Sequence, residues 1–203
     1  MDNLQELEKV IEDIDKTYKD ICFKWNAIGK IYNQSKVLVK DVFNSIEYFQ
    51  DVLNYVEFLN NKTYADWMKL SENNSINRTR VKQINSIYYK TVKYAQKKVN
   101  GEVGTIPMNK CFNDLFGLRV ISNYELKYEA VALFIKEKFP NLKCIDSSKG
   151  EYKAIHIYFK LDNMHYQWEL QLWNKDDATN NYESHKKHKQ EYTKWEKLFN
   201  TRR

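Results

Sequence analysis

No apolar stretch in this sequence approaches the roughly 20 residues that a membrane-spanning helix needs, so a membrane partner is not expected. The opening segment MDNLQELEKVIEDID is acidic and lacks the basic start and apolar run of a signal peptide. Cysteine is scarce. Cys22, Cys111 and Cys144 are odd in number, widely spaced and without metal-ligand spacing. A disulfide scaffold is therefore disfavoured, and a reduced, cytoplasmic protein is expected. The common phosphate loops are missing too, since neither G-x-x-x-x-G-K-[ST] nor G-x-G-x-x-G occurs. Any polyphosphate would have to be held by side chains. No internal repeat is present.

What is there is a chain of 203 residues, which suits one or at most two domains and can bury a sizeable core. Aromatic residues make up 15%, which excludes a disordered tail. The net charge of +6 favours a polyanionic partner such as RNA or a nucleotide, although solubility alone accounts for it equally well.

Two texture zones divide the chain. Leu4, Leu7, Ile11, Ile14 and Tyr18 recur at helical spacing, as do Val42, Ile46, Phe49, Leu53 and Val56. Residues 1–74 therefore read as a helical N-terminal region, with the polar SENNSIN (71–77) as the linker, and 75–203 as a second unit. In that unit RTRVK is extended, and INSIYYKTVKYAQKKV is a basic helix that Asn85 or Ser86 could cap. NGEVGTIP holds two of the five glycines and reads as a loop. LFGLRVIS is a buried strand, ELKYEAVALFIKEKF a helix that stops before Pro140, NLKCIDSS a strand, and NNYESHKKHKQEYTKWEKLFN a final helix. The expected fold is α+β: a mixed sheet of about five strands flanked by helices, with the helical region ahead of it.

The stretch GEYKAIHIYFKLDNMHYQWELQLW reads as a hairpin. Ile155, Ile157, Phe159 and Leu161 fall on one face of its first strand, and Trp168, Leu170 and Leu172 on one face of its second. If Asp162-Asn163 is a two-residue turn, His156 lies opposite Glu169 and Ala154 opposite Gln171. The non-core face then gathers Tyr152, His156, Glu169 and Gln171. A solvent face carries such polar pairs as readily as a site does, so spacing leaves both readings open.

Arg80, Lys82, Ser86, Lys90 and Lys93 form a run that could cradle phosphates, with Ser86, Lys90 and Lys93 on one helix face. The bland alternative is a solvated basic face. Asp114 precedes a strand that carries Arg119. A carboxylate there, with Glu169 on a neighbouring strand, could hold Mg²⁺ together with phosphate oxygens. In ESHKKH, His185 and His188 could suggest a metal pair, but a basic helix face beside the substrate fits that segment better.

Taken in order, R-x-K-x-x-x-S-x-x-x-K (Arg80, Lys82, Ser86, Lys90), DLFGLRV (Asp114 to Val120), YKAIH (Tyr152 to His156) and ELQL (Glu169 to Leu172) resemble the synthetase domain of the RelA/SpoT family, over roughly residues 75 to 190. The order and spacing are similar to those of single-domain small alarmone synthetases. The resemblance implies a nucleotidyltransferase-like fold and transfer of the β,γ-diphosphate of ATP to a nucleotide 3′-hydroxyl. It implies that Arg80 and Arg119 position the adenine and that Lys82, Ser86, Lys90 and Lys93 hold the phosphates. Asp114 and Glu169 would be the catalytic pair and the Mg²⁺ ligands, with Glu169 also the general base. Tyr152 would stack on the acceptor base, His156 would contact acceptor phosphate or ribose, and Gln171 would support the Glu169 strand. Tyr128 would stand behind the site.

Two departures refine the resemblance. GEY stands where the family has N-G-Y, and ELQLWN where it has E-I-Q-I-R-T, so Trp173 and Asn174 replace Arg and Thr. An aromatic acceptor site that includes Trp173, with Lys186, Lys187 and Lys189 nearby, suits a single-stranded RNA end. This resembles the toxic subgroup of small synthetases (toxSAS). The implied function is then a translation-inhibiting toxin of a toxin-antitoxin pair that pyrophosphorylates the 3′-CCA end of tRNA and is neutralised by an antitoxin protein. The alternatives are (p)ppGpp synthesis with GTP or GDP as acceptor, and an inactive RNA-binding module.

Overall fold

The computed structural model of the chain describes residues 3–61 and 76–187. Helix α1 (Asn3–Asn26) buries Leu7, Ile11, Ile14 and Tyr18 as their spacing predicts, leaves Leu4 partly buried, and continues the stripe through Cys22 and Trp25. The second periodic segment is two helices, α2 (Val39–Asn44) and α3 (Ile46–Asn60), separated at Ser45 in extended backbone. The break turns the buried face of α3. Ile46 is left 86% exposed, while Val52, Tyr55, Val56 and Leu59 are buried.

Residues 71–75 of the expected linker, and residue 74 with them, lie outside the described residues. Ile76 and Asn77 already belong to strand β1 (Ile76–Val81). Helix α4 (Ile84–Ala95) follows, with Gln83 in the capping position and no side-chain cap. The expected caps Asn85 and Ser86 therefore sit inside its first turn. The segment expected as a plain loop contains the turn of a small hairpin, β2 (Lys98–Val99) with β3 (Glu102–Val103). Its two turn residues, Asn100 (φ 50°) and Gly101 (φ 88°), both need positive φ, which Asn-Gly supplies.

A short helix α5 (Met108–Cys111) leads to β4 (Phe116–Ser122), then α6 (Tyr128–Lys138), β5 (Lys143–Asp146), β6 (Ile155–Phe159) and β7 (Trp168–Asn174). A 3₁₀ turn at Lys175–Asp177 opens into helix α7, described over residues 178–187. The fold is α+β. Its mixed five-stranded sheet has the order β1-β4-β7-β6-β5, with β4 and β7 parallel and the other neighbours antiparallel. No helix among the described residues is long and apolar enough to cross a membrane.

One face of the sheet is continuously apolar, and the other is also covered at Arg119, Glu169 and Trp173. Phe116, Leu118, Val120, Ile155, Ile157, Phe159, Trp168, Leu170 and Leu172 are all buried, one strand position in two. The N-terminal helices share this core. Tyr18 packs on Phe159 and Trp168 at 6.4 and 5.4 Å, and Tyr55 stacks on Tyr166 at 4.5 Å. The Trp168 indole N–H also donates to the Tyr55 hydroxyl at 3.0 Å.

The β6–β7 hairpin differs from the two-residue turn expected at Asp162-Asn163. Phe159 pairs with Trp168, Tyr158 with Glu169 and His156 with Gln171, so an eight-residue connection (160–167) joins the strands. Leu161 lies outside the strand and is 50% exposed. The register moves by two residues, which preserves every side chain's face. Tertiary contacts hold the connection where turn chemistry was expected to. The Tyr18 hydroxyl accepts the Leu161 N–H at 3.1 Å, and His165 lies 2.8 Å from Asn26 and 2.7 Å from Asp162.

Candidate active site

The non-core face of the sheet presents two rungs of side chains. Arg80, Gly117, Glu169 and Tyr158 are successive neighbours across β1, β4, β7 and β6. The next rung runs Arg78, Arg119, Gln171 and His156. A cleft of about 1100 Å³ lies over this face, walled by α4 on one side and α7 on the other. Arg80, Lys82, Ser86, Lys90, Lys93, Asp114, Arg119, Glu169 and Gln171 all line it, so nine residues singled out in the sequence converge on one space.

At the α4 end, Asp114 sits in the turn before β4 and faces two ammonium groups. Lys82 bonds one carboxylate oxygen and Lys90 the other at 2.9 Å, while Lys90 also donates to the Asn113 carboxamide at 3.2 Å. Burial alone would favour the protonated acid, but the two lysines outweigh it and hold Asp114 well below the usual carboxylate range. Burial pushes the Lys82 ammonium down despite Asp114, whereas Asp114 prevails at Lys90 and raises it. Ser86 is buried beside them, and Lys93 lies over the Tyr89 ring at 5.6 Å. Gly117 leaves a gap in the floor, where an added Cβ would meet nothing within 4 Å.

At the other end Glu169 is surrounded by donors. Tyr158 donates to Oε1 at 2.9 Å, His156 Nδ1 lies 3.0 Å from the same oxygen, and Gln171 donates to Oε2 at 2.8 Å. Burial opposes ionisation of Glu169, and the bond from His156 offsets it, leaving the carboxyl lowered. His156 is held from behind, its Nε2 lying 2.9 Å from the Tyr152 hydroxyl. The revised register thus keeps His156 on Glu169, diagonally rather than directly opposite. Tyr158 was missed as a site residue because tyrosine is ordinary in a strand. Its even spacing from His156 was the available signal.

Trp173 is fully buried. The expectation that this position faces an acceptor as an open aromatic is not what the structure displays, because α7 covers it. The Arg119 guanidinium lies 3.5 Å over the Trp173 ring, and Tyr182 and His185 of α7 pack on the same indole at 5.1 and 5.4 Å. Arg119 also donates to Gln171 at 3.0 Å. Burial, then the charge of Arg119, brings His185 down to about 4, so its imidazole is neutral at pH 7. Lys186 lines the cleft and Lys187 is exposed beside it, while His188 and Lys189 lie outside the described residues. Tyr128 opens α6 and packs against the hydrophobic core, and it does not line the cleft.

Among the described residues no group of three or more His, Cys, Asp or Glu could hold a metal ion. Asp114 and Glu169 line the same cleft and lie close enough for Asp114 to oppose ionisation of Glu169. Two hard oxygen donors of this kind fit Mg²⁺ when substrate phosphates complete its shell.

No protein-family model matches the chain, and no curated protein matches it. Among solved structures, the small alarmone synthetase 2 from Bacillus subtilis is similar at 17% identity and a TM-score of 0.40, covering 70% of this chain and 80% of that one. The small alarmone synthetase 1 from Bacillus subtilis is similar at 18% identity and a TM-score of 0.37, covering 70% and 75%. At these values neither likeness assigns a role to any residue of this chain.

Proposed function

We propose that this protein is an ATP-dependent pyrophosphokinase that transfers the β,γ-diphosphate of ATP to a nucleotide 3′-hydroxyl. The observation that carries the reading is the single cleft that unites a lysine-clasped Asp114 with a hydrogen-bonded Glu169. Arg80 and Arg119 position the ATP adenine, Lys82, Ser86, Lys90 and Lys93 bind its polyphosphate, and the ammonium groups released from Asp114 turn to the phosphate oxygens. Asp114 and Glu169 would hold Mg²⁺ against those oxygens, where it supplies charge neutralisation. The acceptor 3′-oxygen attacks the β-phosphorus, the bond from that phosphorus to the α–β bridging oxygen breaks, and AMP leaves. Glu169 takes the acceptor proton. Such a transfer depends on alignment and charge more than on covalent chemistry by the protein.

For the acceptor we propose the 3′-CCA end of tRNA, with the protein acting as the toxin of a toxin-antitoxin pair. The basic net charge and Lys186 of α7, which lines the cleft, support a polyanion larger than a nucleotide. The burial of Trp173 favours a second reading, GTP or GDP as acceptor, because it removes the open aromatic that suited an RNA end. Labelled γ-phosphate ATP supplied with tRNA in one tube and GTP or GDP in another decides between them. Label on tRNA that is lost on trimming the last nucleotide supports the toxin. Label on guanine nucleotide alone supports alarmone synthesis. ATP binding with no transfer to any acceptor leaves an inactive RNA-binding module.

A further inference from the structure

One wall of the cleft belongs to α7, and beside the packing of Tyr182 and His185 on Trp173 this helix is tied down by one buried hydrogen-bonding side chain. Asn181 is fully buried. Its carboxamide oxygen accepts the Lys153 backbone N–H at 2.8 Å, and its carboxamide nitrogen donates to the Lys153 carbonyl at 2.7 Å. Lys153 lies just ahead of β6, where no strand neighbour meets its backbone, so Asn181 takes the place of a strand. A buried amide with both groups committed to one backbone residue is a rigid attachment, because leaving either group unpaired is costly.

The residue so held is next to Tyr152, and Tyr152 begins a chain of contacts into the cleft. Its hydroxyl meets His156 Nε2 at 2.9 Å, and His156 Nδ1 meets Glu169 at 3.0 Å. One turn beyond Asn181, the His185 ring closes edge-on against Tyr152 at 5.4 Å. The Tyr152 ring is therefore fixed from its backbone by Asn181 and from its side by His185.

We propose that Asn181 is a positioning residue for the acceptor half of the cleft, setting Tyr152 and through it His156 and Glu169. The inference rests on the pyrophosphokinase reading above. It separates the two halves, because Asn181 touches none of the residues that grip Asp114.

The test uses the full chain with Asn181→Ala and the near-isosteric Asn181→Asp. Lys153 is exposed, so water can replace the lost amide contacts and the fold should persist. In Asn181→Ala, hydrogen exchange at the Lys153 amide should accelerate. Transfer turnover should fall about tenfold to a hundredfold, the scale of lost alignment, with ATP affinity by calorimetry unchanged. Asn181→Asp keeps the acceptor for the Lys153 N–H but not the donor to its carbonyl. It should retain the exchange protection yet lose turnover, and it carries the test alone if Asn181→Ala does not fold. Wild-type transfer left unchanged by these variants, or a matching loss of ATP affinity, overturns the placement of Asn181. Wild-type protein that transfers to no acceptor overturns the functional reading, and this proposal with it.

Discussion

The two carboxylates of the cleft are held by opposite means. Asp114 is clasped by two ammonium groups, whereas Glu169 is surrounded by a hydroxyl, an imidazole and a carboxamide. The first arrangement is an exchange of charges, which an incoming polyphosphate enters by competing for the lysines. The second leaves the carboxylate without a permanent cationic partner among these contacts, which suits a group that must accept a proton. The difference teaches which half receives the donor and which the acceptor, and it gives each half its own failure mode.

Replacing the carboxylates should expose that difference most sharply. Glu169→Gln and Asp114→Asn should each lower transfer by more than about a hundredfold, the scale of a lost general base. Their stabilities should diverge. Asp114→Asn leaves Lys82 and Lys90 without their counter-charge, and a broken buried pair costs roughly 3 kcal/mol or more. Glu169→Gln strips no lysine or arginine of its counter-charge and should unfold near the wild-type denaturant midpoint. Equal midpoints for the two variants would erase the distinction.

Filling the gap between the halves should come next. Gly117 has no Cβ contact to lose and lies in ordinary strand backbone, so Gly117→Leu should fold and place a side chain over the cleft floor. ATP binding should disappear from calorimetry while the thermal midpoint holds. Retained binding would move the nucleotide elsewhere.

Arg80→Ala and Lys90→Ala should weaken ATP binding by about ten- to a hundredfold, the worth of a charge-assisted contact, and affect the acceptor less. Only Lys90→Ala should also cost stability, since Lys90 is one of the two clasps on Asp114. ATP titrations and melts of both variants check this, and unchanged ATP affinity would remove the cradle.

The smallest effect concerns pH. His185 is lowered to about 4 from its ordinary 6.5, chiefly by burial, so the folded state resists its protonation. Its contribution to stability is complete above about 6.5 and is lost as pH falls towards 4. Thermal midpoints of wild type and His185→Gln should therefore converge between pH 7 and pH 4.5. Parallel curves would place His185 in a more open setting.

Much of the sheet was legible because its strands alternate so regularly. Ile155, Ile157 and Phe159 against His156, with Trp168, Leu170 and Leu172 against Glu169 and Gln171, define two faces from sequence alone, while β4 was legible from its apolar, β-branched content. The run from Arg80 to Lys93 and the pair Asp114 and Glu169 followed from residue type and order. The Asn-Gly at 100–101 was a readable hairpin signal that loop composition obscured. What stayed hidden depends on segments distant in the chain. The hairpin register rests on Tyr18 and Asn26, more than a hundred residues from the connection they hold. Trp173 is covered by a helix that Asn181, Tyr182 and His185 all attach, and nothing local marks that asparagine as buried.

The central claim, diphosphate transfer from ATP, is tested most directly by the adenine nucleotide left behind. Wild-type protein, ATP, Mg²⁺ and the acceptor that takes label should produce AMP one-for-one with labelled acceptor, and Glu169→Gln should produce neither. ADP in place of AMP, or AMP formed without a labelled acceptor, would contradict the account.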